Sequence, residues 1–320
     1  MKISIPILNL KYKDDLYRLI LSLFVLGIIA IFFVSVLVIA AYSYPAVIRY
    51  GAPFLWVKTW NPPMEIFGAL TFIAGTLFVT FLALIFSVPL ALGIGVFLQE
   101  YCPFFLRSFL TVIIEMLAGI PSVVFGVWGV LTIVPWLRES VEPFFNAYFS
   151  GIPFLKVEEN IGYGILAASI VVAFMILPII ASITKDSLSA VPDLAKDGAL
   201  AMGATRLDVI KNVSLPYALS GIYGGIVLGF GRAVGETIAV VLLIGNQAIV
   251  PKSLFSVGYT ISSVLANTFT FAVISPIYAS AEVELALILL VISLLVNIIG
   301  RNILNSVIGG RLSRSQFGGG

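Results

Sequence analysis

The sequence predicts an all-α polytopic membrane protein with six transmembrane helices and both termini cytoplasmic. Three observations carry this. Hydrophobic residues make up 60% of the 320 residues and charged ones 11%, against about 45–50% and 25% in soluble globular domains. Several apolar runs reach the ~20 residues that a helix needs to cross the hydrocarbon core, and none shows the ~10-residue alternation of a transmembrane β-barrel. Lysine and arginine gather on the side of the termini, as the positive-inside rule requires.

The first span is read at 16–44 behind a basic start (Lys2, Lys11, Lys13, Arg18). It is far longer than the ~7–15 residue core of a signal peptide, so it is expected to be retained. A loop with Trp56, Trp60, Pro62 and Pro63 follows, which suits a non-helical interfacial stretch. The second span is read at 67–98. The third is read at 106–134, interrupted by Gly119-Ile120-Pro121, since proline removes a helical hydrogen bond. That interruption is either a packing kink or an edge of a transport pathway. A mixed stretch at 135–160 is expected to be a loop with interfacial aromatics. The remaining spans are read at 161–184, 221–245 and 285–308, with 246–284 too polar to cross. The chain thus divides into 1–66 (N-terminal segment, first helix and external loop), 67–308 (a core of five helices with a cytoplasmic segment at 185–220) and a tail at 309–320.

Orientation follows from the cations. Lys2, Lys11, Lys13, Arg18, Arg107, Lys185, Lys196, Arg206, Lys211, Arg301, Arg311 and Arg314 fall on the side of the termini. Arg49, Lys58, Arg138, Lys156 and Lys252 fall on the other. A net charge of +2 is too small to imply nucleic-acid binding. One cysteine, Cys102, excludes an internal disulfide, and with no histidine it argues against a His/Cys metal site. No P-loop pattern is present, so the chain is not expected to bind a nucleotide in that way; no catalytic residues and no cofactor are expected.

The cytoplasmic segment at 185–220 contains Val191-Pro192-Asp193, where proline suits a helix start and Asp193 and Asp197 complement its positive dipole end. Apolar positions from Leu194 onward are interrupted at Gly203, which predicts two short helices with a bend there. Pro216 is expected to open the next membrane helix. Such a helix pair is either a partner-docking element or a plain tether.

Span five carries two features. Gly221, Gly225 and Gly229, and again Gly231 and Gly235, are spaced four apart, which lets helices approach closely in lipid. Arg232 and Glu236 lie inside the same apolar run, where an ionisable group costs at least about 2.5–3.5 kcal/mol and faces a bundle interior or water. Arg232 lies about 20 Å along the helix from Leu219. The two residues are placed either to form an internal ion pair or to line a path, with the Arg232 guanidinium binding an oxyanion through its fork of donors. Glu115 in span three is a further intramembrane acid. It faces Arg232 or a partner subunit, or it stands alone.

Asp197-Gly198-Ala199, then Gly203, then after nine residues Val213-Ser214-Leu215-Pro216, resembles the EAA loop of ABC importer permeases. There Asp197 stands for the glutamate, Gly198 for the first alanine and Val213 for the isoleucine. The resemblance implies a type I importer permease fold, with Asp197, Gly198, Ala199, Gly203, Leu215 and Pro216 coupling to an ATPase subunit. Gly231–Val240 (GRAVGETIAV) and Thr260–Asn267 (TISSVLAN) resemble the phosphate-specific permeases of the PstC/PstA family, on the PstC side. This implies a subunit of an ATP-driven inorganic phosphate importer, multi-pass in the prokaryotic inner or plasma membrane. Arg232, Glu236 and Glu115 are its pathway candidates. It also implies as partners a second permease (PstA type), two ATPase subunits (PstB type) and an external phosphate-binding protein (PstS type). A permease for another oxyanion or small solute, and a secondary transporter, are the competing readings.

Overall fold

Six helices among the described residues are long and apolar enough to cross a bilayer. The computed structural model describes residues 10–272 and 274–317, with side-chain surroundings from 17 to 302. In chain order the helices are α1 (Leu10–Tyr50), α2 (Leu70–Tyr101), α3 (Phe104–Ala118), α4 (Ser122–Phe149), α5 (Ile165–Ser189), α6 (Asp193–Ala201), α7 (Arg206–Val234), α8 (Ile238–Leu243), α9 (Ile261–Ala272) and α10 (Pro276–Phe317). The spans are α1, α2, α4, α5, α7 and α10.

The bundle is built around α5, whose most apolar window is 78% buried. Helices α2, α3 and α7 pack directly on it. Ala167, Val171, Met175, Ile176 and Ile180 of α5 join Val79 and Ala83 of α2, and Val240 and Leu243 of α8, in the main core. The chain enters α5 through a pinned loop: buried Glu142 of α4 accepts the Gly162 N–H on both carboxylate oxygens at 3.0 Å. A second cluster joins Phe54, Phe67 and Phe72 to Ile261, Tyr278 and Leu285. Trp60 lies 4.8 Å from the Phe67 ring, and Phe67 stacks on Tyr278 at 5.5 Å. The proline-rich loop after α1 is therefore a packed cap.

Pro45 lies inside α1. There the Ser280 hydroxyl of α10 donates to the Tyr42 carbonyl at 2.8 Å and accepts from the Ala46 N–H at 2.9 Å. Those two backbone groups pair with each other in a regular helix. A side chain from another helix has entered the ladder.

Several sequence expectations need correction. The region read as one interrupted third span, 106–134, is two helices, because Gly119-Ile120-Pro121 ends α3 outright and α4 starts afresh at Ser122. The stretch 135–160 is helical as far as Phe149. Its prolines are tolerated because α4 widens into π-turns at Gly129–Ile133 and Leu137–Val141. Span five is shifted: α7 starts at Arg206, absorbs Pro216 behind a π-turn at Ile210–Ser214, and ends at Val234. The segment 246–284 holds α9 and the first turns of α10, with Glu282 and Glu284 buried. The tail at 309–320 continues α10 as far as Phe317. Lys2, Lys11, Lys13, Arg311 and Arg314 lie outside the residues whose side chains are described.

Only three of the five glycines spaced four apart form the packing stripe. A Cβ on Gly221 would lie 2.0 Å from Ser187 Oγ, on Gly225 3.1 Å from Ile183, and on Gly229 2.8 Å from Ile180. These three seat α7 against α5. Gly224 and Gly231 face open space. Gly221→Val is therefore expected to destabilise the isolated subunit by roughly 1–3 kcal/mol through overpacking, with Gly224→Val near neutral. Unfolding in mixed micelles measures both; equal effects would refute the packing assignment.

Candidate functional site

Two regions gather the residues singled out by sequence, except Glu115 on α3. The first is the interruption between α7 and α8. Helix α7 stops at Val234, Gly235-Glu236-Thr237 are non-helical or poorly helical, and α8 starts at Ile238. Inside a bilayer such a break survives only if its freed backbone groups find partners within the protein. Here they do. The Glu236 N–H donates to the Ala233 carbonyl at 3.3 Å, and the Glu236 carbonyl accepts from Ser262 Oγ at 2.8 Å. Thr237 Oγ1 donates to the Gly235 carbonyl at 3.1 Å.

Ser262 belongs to the first turn of α9, whose own start is capped by hydroxyls. Thr260 N–H donates to Ser263 Oγ at 2.8 Å, and Ser263 N–H to Thr260 Oγ1 at 3.1 Å. The Ile261 N–H donates to Thr76 Oγ1 of α2 at 2.9 Å. The Thr260–Asn267 stretch thus satisfies helix ends and braces the break. The sequence reading missed this role for Thr76 and Ser262, since their partners are 185 and 26 residues away.

Arg232 and Glu236 part company across the break. Arg232 sits in the last turn of α7 with its side chain exposed, and Glu236 is 9% exposed. Glu236 Oε1 lies 3.5 Å from the Ala239 N–H, inside the protein. Among the described residues there are four ion pairs, and Arg232–Glu236 is not one of them. The internal pair, one of the two readings of this spacing, is absent among the described residues because the helix that would align the two residues ends between them. What remains is an exposed guanidinium with no side-chain hydrogen bond or ion pair to another described residue. Glu115 is exposed on α3, likewise without an ion-pair partner among the described residues.

The second region is the turn between α5 and α7. The expected helix pair is present: α6 and the start of α7 flank Gly203, whose φ of +90° favours glycine. Thr205 caps α7 reciprocally with Asp208. Asp197 and Gly198 are exposed, as are Leu194 at 86% and Met202 at 85%. Leu215 packs instead toward buried Leu188, Ala218 and Ile222, and Pro216 is half-buried. The motif therefore splits, with Asp197 to Gly203 presenting a mixed acidic and apolar surface and Leu215-Pro216 anchoring it. Lys196 Nζ meets Glu100 Oε1 of α2 at 2.8 Å beside the turn, a pair that no local spacing announces.

Residues 88–309 match the family model described as binding-protein-dependent transport system inner membrane component. The chain is 43% identical over 265 residues to the phosphate transport system permease protein PstC of Mesorhizobium japonicum, covering 82% of this chain and 81% of that one. It is 36% identical over 303 residues to the protein of the same name from Haemophilus influenzae, covering 92% and 93%. Among solved structures, a chain of a bacterial alginate ABC transporter superposes with a TM-score of 0.58 at 19% identity, over 92% of this chain and 98% of that one. That likeness is one of fold.

Ser262→Ala removes the donor to the Glu236 carbonyl, which costs roughly 1–3 kcal/mol when the acceptor stays buried. Hydrogen exchange should quicken locally across 233–239 while α5 keeps its protection. An unchanged exchange pattern would mean that Ser262 does not brace the break.

Proposed function

We infer the function from a membership: this chain belongs to the binding-protein-dependent transport system inner membrane component family, and within it to the PstC-type permeases. It is a multi-pass membrane subunit of an ABC transport system, and a transport subunit rather than an enzyme. We propose that its cargo is inorganic phosphate and that it sits in the inner or plasma membrane of a prokaryote with both termini cytoplasmic. Its proposed partners are a second permease of PstA type, two ATPase subunits of PstB type and an external phosphate-binding protein of PstS type. The observation that carries the substrate reading is the extended identity to permeases named for phosphate transport. The exposed guanidinium of Arg232, without an ion pair among the described residues and beside a helix break, supports it.

The mechanism that fits is alternating access, with residues 67–308 as the permease core. Asp197, Gly198, Ala199 and Gly203 dock in a groove of the ATPase subunit, where exposed Leu194 and Met202 supply apolar contact. Leu215 and Pro216 carry the displacement along α7, at whose far end Arg232 holds phosphate electrostatically. Glu236 keeps the break open, and Glu115 lines the same path. Free energy comes from ATP hydrolysis on the partner.

Arg232→Gln should lower ATP-dependent phosphate uptake into vesicles holding the assembled transporter by at least about tenfold, the worth of one charge-assisted contact, with ATPase binding intact. Undiminished uptake would remove Arg232 from the path. Preference of the wild type for sulfate would overturn the phosphate assignment.

A further inference from the structure

Helix α6 has no buried residue, yet in the reading above it is the part that an ATPase subunit moves. Chain connectivity links it to α5 through Val191-Pro192 and to α7 through Gly203. Its tie to α2 is different in kind. Lys196 Nζ lies 2.8 Å from Glu100 Oε1, and the two side chains are only 15% and 12% exposed. Among the described residues this is the one ion pair that joins α6 to a membrane span. Such shielding preserves the attraction that solvent and salt weaken at an open surface.

Glu100 is held on a rigid mount. It lies in the π-turn Phe97–Tyr101 that closes α2, where Leu98 and the adjacent Cys102 are buried. Arg107 of α3 braces that turn, its Nη2 donating to the Gln99 carbonyl at 2.9 Å and to the Cys102 carbonyl at 3.5 Å. A cavity of about 160 Å³ lies beside the pair, lined also by Asp193, Asp197 and Arg206. From Glu100, α2 runs about 36 Å to Thr76. Thr76 accepts the Ile261 N–H, and the next residue, Ser262, holds the Glu236 carbonyl. One end of α2 thus meets the docking turn and the other braces the break beside Arg232.

We propose that Lys196 and Glu100 are a positioning pair that makes α2 follow α6, so that ATPase-driven displacement reaches the break through α2 as well as α7. The inference rests on α6 seating in the ATPase. Removing the pair leaves α6 pulling only on its chain neighbours.

The test uses the complete transporter in proteoliposomes, with spin labels at Phe81→Cys on α2 and Phe174→Cys on α5, both exposed positions, in a Cys102→Ser background. Two quantities are read: the ATP-induced change in label separation, and phosphate moved per ATP hydrolysed. In Glu100→Gln and Lys196→Met the label displacement should be largely lost and the phosphate-to-ATP ratio should fall roughly twofold to thirtyfold, with basal hydrolysis and assembly retained. The exchanged pair Glu100→Lys with Lys196→Glu should recover both, as should Lys196→Arg, which keeps charge and reach should the single variants assemble poorly. Wild-type displacement in Glu100→Gln, or no recovery in either rescue variant, would overturn the pair's role. ATP-driven displacement in a wild type that moves no phosphate would instead sink the substrate reading and leave the pair standing.

Discussion

Everything near the proposed path depends on one constraint: a backbone group freed inside a bilayer must be paired from within the protein. The chain breaks its helices repeatedly and meets that demand differently each time. At Gly235–Thr237 the partner is Ser262 of α9. At the start of α9 it is Thr76 of α2. At Pro45 of α1 it is Ser280 of α10. Small hydroxyls thus sit where helices stop or weaken, and each ties a break to an element distant in the chain.

Much of this was legible in the sequence because local physics decides it. Apolar runs gave six spans, and the Gly203 bend with its flanking helices followed from proline, acidic and glycine positions. Close approach of α7 to α5 followed from Gly221, Gly225 and Gly229. What was not legible depends on distant partners. Glu236 reads as the i+4 neighbour of Arg232 only while the helix is assumed to continue, and what braces its end comes from α9. Glu100 reads as the polar end of a span until Lys196, 96 residues on, is placed beside it. Span ends failed where π-turns carried helices past prolines, as in α4 and at Pro216.

The two regions differ in exposure. The proposed docking turn shows apolar and acidic side chains outward and keeps its anchor, Leu215, turned into the bundle. At the break the arrangement reverses, with the acid Glu236 turned inward and the cation Arg232 left outward. A surface for a protein partner needs apolar area around its charge. A passing anion needs a charge with nothing competing for it.

The Ser280 bridge to α1 also bears on biogenesis. Its backbone partners in α1, Ala46 and Tyr42, precede it by 234 and 238 residues and emerge from the ribosome long before it. At ordinary synthesis rates the interval is roughly ten to fifty seconds, during which α1 waits in the membrane with the ladder at Pro45 unbridged. Helix α1 is therefore finished only when α10 arrives, and until then the groups freed at Pro45 depend on lipid, water or an insertion factor.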